Sequence, residues 1–147
     1  MREARDYTLL PDRVLQGGLR EALRRQLLRW FVDDRIAARF VLVVDELVGN
    51  SIDHGATYRV PDHRLSVRMV LEHGDLRLRF TDPDVPVALM NAVKAQLDIA
   101  TAPPPLDSER GRGLFLIRDT LDEVEVRALS AESVGMEVIG RILDVQS

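Results

Sequence analysis

Two periods of apolar and polar residues run along the chain, and the change of period divides it into elements. The densest helical pattern is Val41 to Tyr58, VLVVDELVGNSIDHGATY. On a helix with Glu46 set at zero, Asp53 falls at about −20°, Asn50 at about +40° and His54 at about +80°. Leu47, Ser51, Val44, Val48, Val41 and Ile52 fill the far arc, and Leu42 and Val43 flank the stripe as well. A helix apolar nearly all round is buried, or lies under a cleft. This one nevertheless carries two carboxylates, an amide and an imidazole in one line. Buried without partners, such groups cost about 1–3 kcal/mol each, and more for a charge. A ligand, a metal or water would supply partners; on an ordinary amphipathic helix the same stripe faces solvent.

The other elements follow in order. Asp6 to Leu10 reads as a short strand closed by Pro11. Val14 to Val32 reads as a helix with Leu15, Leu19, Ala22, Leu23, Leu27 and Trp30 or Phe31 on its apolar side. Arg20, Arg24, Arg25 and Arg29 lie mostly opposite, a face for solvent or for an acidic partner. Asp33 and Asp34 are candidate caps for the helix after it. Beyond Gly55 the chain loops through Pro61, and Arg64 to Leu71 then alternates, with Leu65, Val67, Met69 and Leu71 inward. Glu72 to Asp75 is a hairpin turn, and Leu76, Leu78 and Phe80 continue the inward face. Asp82 shares their parity, which points a carboxylate to the core side unless pairing stops at Thr81 and Asp82 is a turn residue. Val87 to Ile99 reads as a short helix, and Ala100 to Arg110, with three consecutive prolines, as a mobile loop. Gly111-Arg112-Gly113 opens a helix ending near Leu121, and glycines there let backbone N–H groups approach an anion. Val124 to Ala128 and Val134 to Leu143 are the last strands, the second apolar on both faces and therefore internal. The order predicts an α/β fold of the α+β two-layer sandwich type, with a mixed, largely antiparallel sheet covered on one face by helices.

Composition narrows the classes. A chain of 147 residues fits one domain spanning 1–147. A net charge of −4 argues against a nucleic-acid-binding surface. The absence of cysteine excludes disulfides, cysteine-ligated zinc and a thiol nucleophile, and fits a cytoplasmic protein. No apolar run approaches the roughly 18 residues of a membrane helix, and MREARDYTLL has no signal-peptide core.

Three segments now stand in order: Glu46-x-x-x-Asn50-x-x-x-His54-Gly55 on a helix, Asp82 at a strand end, and Arg110-Gly111-Arg112-Gly113-Leu114 opening a helix. Together they resemble the GHKL ATPases, whose Bergerat-type fold is shared by gyrase-type ATPases, heat-shock chaperones and sensor histidine kinases. Length and spacing are most similar to the small bacterial serine-protein-kinase anti-sigma factors, from Arg13 to Leu143. The resemblance implies ATP and Mg²⁺ as ligands. Glu46 would be the catalytic base, Asn50 would hold Mg²⁺, and Asp82 would accept a hydrogen bond from the adenine amino group. Gly111 and Gly113 would offer backbone N–H groups to the phosphates, with Arg110 or Arg112 adding charge and Leu114 following. Asp53 and His54 would sit at the cleft edge, and residues 83–110 would form a lid. It also implies a sigma factor and a STAS-type antagonist as partners, and a homodimer. Three departures stand against the family pattern. Asp82-Pro83-Asp84-Val85-Pro86 lacks the usual glycines, Gly135-Met136-Glu137 replaces Gly-Lys-Thr and its support for the adenine Asp, and Asp84 would repel phosphate if it faced the cleft. They motivate an alternative, a catalytically weak or inactive module that regulates a partner by contact. A histidine-kinase catalytic domain, another GHKL ATPase, or a structural protein are the further readings.

Overall fold

The computed structural model describes residues 2–55, 58, 60–99, 112–129 and 134–146. The elements are β1 (Arg2–Leu9), α1 (Arg13–Arg29), α2 (Asp34–His54), β2 (Leu65–Glu72), β3 (Asp75–Pro86), α3 (Val87–Ile99), α4 (Arg112–Thr120), β4 (Glu123–Ala128) and β5 (Val134–Ile142). The strands form one sheet in the order β1-β2-β3-β5-β4. Every ladder among the described residues is antiparallel, so the parallel component that a mixed sheet requires is not there. β5 is internal, as its two apolar faces require.

Alternation builds the sheet's inner face. Met69 lies across from Leu78 and Val67 across from Phe80. Phe80 in turn faces Val138, and Val126 faces Val138 from the far side. All six are buried beneath the helices. Gly140 lies in the same layer, where an added Cβ would come within 2.5 Å of the Leu121 side chain. The missing side chain lets the end of α4 settle on β5. At the β2–β3 hairpin, His73 and Gly74 both take positive φ (53° and 81°), as a two-residue type I′ turn demands.

The helices follow their caps. Asp12 accepts hydrogen bonds from the N–H groups of Val14 and Leu15, and Asp33 from those of Arg35 and Ile36. Of the two aromatics ending α1, Trp30 enters the core while Phe31 is 76% exposed. Phe31 donates its N–H to Leu28 and Val32 donates to Leu27, the paired closure of a Schellman turn. Phe31 holds the left-handed position with φ at 60°. Leu15, expected inside, is 44% exposed, and Gln16 is buried in its place, its amide bonding to Asp45 of α2. The helix stops at His54, where Gly55 caps it at the start of the expected loop and accepts the Tyr58 N–H in a turn.

Residues after β5 clasp the far end of the sheet. Val145 donates to the Gly74 carbonyl and accepts from the Asp33 N–H, both at 2.8 Å. The Asp144 N–H reaches Asp75, and Gln146 reaches the Trp30 carbonyl. The α1–α2 junction and the β2–β3 hairpin are thereby tied through one short segment. No helix among the described residues is long and apolar enough to cross a membrane.

Phe31 occupies a position that glycine fills without strain, and its exposed ring contributes little packing. Phe31→Gly is expected to stabilise the protein by about 1 kcal/mol, raising Tm by roughly 2–4 °C. Phe31→Ala, which keeps the Cβ, is expected to gain nothing. Thermal unfolding of the two variants checks both.

Candidate functional site

The polar stripe of α2 meets the start of α4. Glu46 is half-buried there, and an added Cβ on Gly113 would lie 2.1 Å from Glu46 Oε2. Glycine at 113 is what lets the carboxylate rest against the first turn of α4, where backbone N–H groups and the helix dipole favour negative charge. Burial pushes the Glu46 carboxyl above its ordinary value of 4.5, and the charges of Asp45 and Asp53 push the same way. Those two neighbours face α1: Asp45 pairs with Arg20 at 2.8 Å, and Asp53 pairs with Arg13.

One turn further on, Asn50, Ser51 and His54 line a partly open cavity of about 40 Å³, with Tyr58, Leu114 and Met136 on its other walls. The structure therefore brings together Glu46 with Gly113, and Asn50 and His54 with Leu114. Asp53 does not line the cavity: its ion pair with Arg13 turns it toward α1 and solvent. Arg112 opens α4, whereas Arg110, Gly111 and the loop 100–110 lie outside the described residues. The described part of the expected lid is the end of β3 and α3, which packs beside β3, β4, β5 and α4.

Asp82 is completely buried. The β3 ladder continues through Asp82, opposite Met136, and shifts register only before Pro86. The inward parity of Leu76, Leu78 and Phe80 thus carries the carboxylate under the helices. Three neighbours hold it. The Tyr58 hydroxyl donates to Asp82 Oδ2 at 2.9 Å, and the Asp84 N–H donates to Oδ1 at 3.3 Å. His63, 1% exposed, brings Nε2 to 3.0 Å from Oδ1, a close polar contact that lies off the ring N–H direction and is not a hydrogen bond. The other ring nitrogen of His63 bonds Asp84. Asp84 is therefore turned to His63.

Tyr58 and His63 were not among the expected site residues. His63 could have been found: counting back by two from Val67 and Leu65 lands on it, so the rule that flagged Asp82 flags this imidazole too. The 135–137 segment does not support Asp82. Met136 is its apolar neighbour across the ladder, while Glu137 faces the opposite side of the sheet, held by Arg79 and Arg127.

A nucleoside triphosphate with a divalent ion fits this donor set. Gly113 leaves a helix start open beside a carboxylate, and Asn50 offers a neutral oxygen one turn away. Among the described residues no group of three or more His, Asp or Glu could hold a metal alone. Mg²⁺ does not need one, since it keeps several waters and takes oxygens from phosphates.

Comparison with known proteins agrees with the fold. The family model for the histidine kinase-like ATPase domain matches residues 9–141. The crystal structure of the RsbU and RsbW domains of Rv1364c from Mycobacterium tuberculosis superposes with a TM-score of 0.63 at 15% identity, over 96% of this chain and 32% of that one. The chain thus spans about a third of that protein's length. The SiaB–SiaC complex from Pseudomonas aeruginosa superposes with a TM-score of 0.64 at 13% identity, over 94% of this chain and 89% of that one. No curated protein matches in sequence.

The raised Glu46 carboxyl has a consequence for stability. The folded protein holds this proton more tightly than the unfolded chain. The associated stability is full below the unfolded pKa, about 4.3, and is lost as pH rises through the folded value. Glu46→Gln is therefore expected to have a higher Tm than the wild type at pH 7, the gap closing as pH falls below about 4. A lower Tm for the variant at pH 7 would contradict the burial argument.

Proposed function

The chain belongs to the histidine kinase-like ATPase domain family, and we propose that it binds ATP with Mg²⁺ between α2 and α4 and acts as a serine/threonine-protein kinase. In this reading it is a cytoplasmic anti-sigma factor that phosphorylates a STAS-type antagonist and so regulates sigma-dependent transcription. The observation that carries the proposal is Glu46. Its carboxylate is half-buried, shifted toward a stronger base, and seated against Gly113 on the helix face that also bears Asn50.

Each residue then has work its surroundings permit. Glu46 accepts the proton of a serine hydroxyl as the hydroxyl oxygen attacks the γ-phosphorus and ADP leaves. Asn50 would hold Mg²⁺, which would supply neutralisation of the phosphate charge. The N–H groups at the start of α4 hold phosphate oxygens, with Arg112 at the same helix start; the phosphate roles expected of Arg110 and Gly111 fall outside the described residues. His54 closes the cavity edge, Leu114 packs beneath it, and Asp82 accepts from the base. Phosphoryl transfer is mostly positioning and charge stabilisation, which this set can provide. The superposition on RsbW-containing and SiaB-containing structures supports the fold this chemistry uses, and the second of those was crystallised as a complex of two proteins. A sigma factor and an antagonist are the partners that this reading assigns, with the protein itself a homodimer.

One observation favours a second reading. Asp82 already has partners on both oxygens, and the adjoining cavity is small. A module that regulates a partner by contact, with weak catalysis or none, would have this arrangement.

Calorimetric titration with ATP, with and without Mg²⁺, separates the two. The kinase reading expects Mg²⁺-dependent binding that Asp82→Asn abolishes. It also expects Glu46→Gln to lower phosphotransfer to a serine-bearing antagonist by about 10²–10⁴, with ATP affinity within about threefold of the wild type. Absence of binding by the wild type at millimolar ATP would favour the contact module.

A further inference from the structure

We propose that Tyr58 is a gate over the base site, and that its hydroxyl and the base compete for one oxygen of Asp82. The proposal rests on the reading above, in which Asp82 faces the base. The Tyr58 hydroxyl donates to Asp82 Oδ2 at 2.9 Å. That is the bond an exocyclic amino group of a purine would make. The same side chain lines the cavity beside Asn50, Ser51 and Met136. A volume of about 40 Å³ holds a few waters, whereas ligand pockets run to roughly 300 Å³ and more. A purine with its sugar therefore enters only if the wall moves, and Tyr58 is the wall residue bonded to the carboxylate that would read the base.

The surroundings allow the exchange. Tyr58 follows the end of α2, where Gly55 caps the helix and accepts a turn hydrogen bond from the Tyr58 N–H at 3.1 Å. Its ring meets His63 edge-on, with centroids 6.0 Å apart and planes at 68°. When Tyr58 leaves, Oδ1 keeps its His63 contact and its Asp84 N–H, so the carboxylate stays in position with only Oδ2 exposed. The freed oxygen accepts an N–H donor. An adenine-type amino group satisfies it, whereas the carbonyl oxygen that guanine presents at the equivalent position sets two acceptors against each other and leaves both unpaired. Tyr58 thus gates entry, and the partly open fraction sets the apparent affinity.

The test is calorimetric titration of the wild type, Tyr58→Phe and Asp82→Asn with ATP and with GTP, each with Mg²⁺. Phenylalanine keeps the ring and removes the competing donor. Tyr58→Phe is expected to bind ATP roughly tenfold tighter, the change carried by one hydrogen bond to a charged group, and to gain nothing for GTP. Unchanged or weaker ATP binding by a folded Tyr58→Phe overturns the gate while leaving the nucleotide site standing. ATP affinity unaffected by Asp82→Asn removes the base-reading carboxylate, and the gate with it. A second measurement needs no loss of the hydroxyl. In wild-type protein with ring-labelled tyrosine, the chain's two tyrosines are Tyr7 and Tyr58, and Tyr7→Phe assigns the signals by NMR. Saturation with Mg²⁺-ATP is expected to shift the Tyr58 signal toward that of a solvated phenol, and a stationary signal overturns the proposal.

Discussion

A carboxylate at the dry end of a strand has to be met from every side, and much of this molecule's arrangement around Asp82 answers that demand. Strand parity carries Asp82 under the helices, where desolvating a charge without partners costs more than any nearby apolar contact returns. His63 meets it from the turn before β2, Tyr58 from the turn after α2, and the Asp84 N–H from the chain just beyond. Three separate stretches are thereby fixed around one oxygen pair. The register shift between Asp82 and Pro86 follows from the same place. Proline has no N–H to give a ladder, so pairing breaks where Pro83 comes next, and the strand resumes at Pro86.

Glu46, a half-buried acid, shows a different solution. No cation pairs with it among the described residues. Instead its two acidic neighbours are drawn off to α1, Asp45 by Arg20 and Asp53 by Arg13, which lessens their repulsion without removing it. Its contact is the backbone at Gly113, and α4 can present that backbone because its other end is seated through Leu121 on Gly140. Two glycines, one at each end of a short helix, thus set the distance between a sheet and a carboxylate.

Much of this was legible along the chain because it is local. The period of α2, the alternation of β2 and β3, the His73-Gly74 turn and the Asp33 cap each depend on residues a few positions apart. Parity even carried Asp82 to the correct face. What escaped depends on partners far away in sequence. The stretch from Gly55 to Pro61 has no period, so nothing local brings Tyr58 to Asp82, and His63 falls between that loop and the alternation that starts at Arg64. Trp30 and Phe31 could not be told apart by a helical period, because the Schellman turn that separates them belongs to the helix end. Asp53 lies on the same stripe as Glu46 and Asn50, but Arg13, on another helix, decides which way it faces. Strand direction is likewise set by the insertion of β5 between β3 and β4, the last strand to appear in sequence.

The clasp formed after β5 gives the molecule unequal ends. At one end, Val145 through backbone hydrogen bonds and Gln146 through its side-chain amide knot the hairpin to the helix junction. At the other lie Asp82, Tyr58, Met136 and the start of α4, joined chiefly by side chains. Rearrangement of those side chains leaves the knotted end undisturbed, as a jaw moves on a fixed hinge block. Amide hydrogens should record the difference, with those at Val145 and Asp33 exchanging only when the whole domain unfolds.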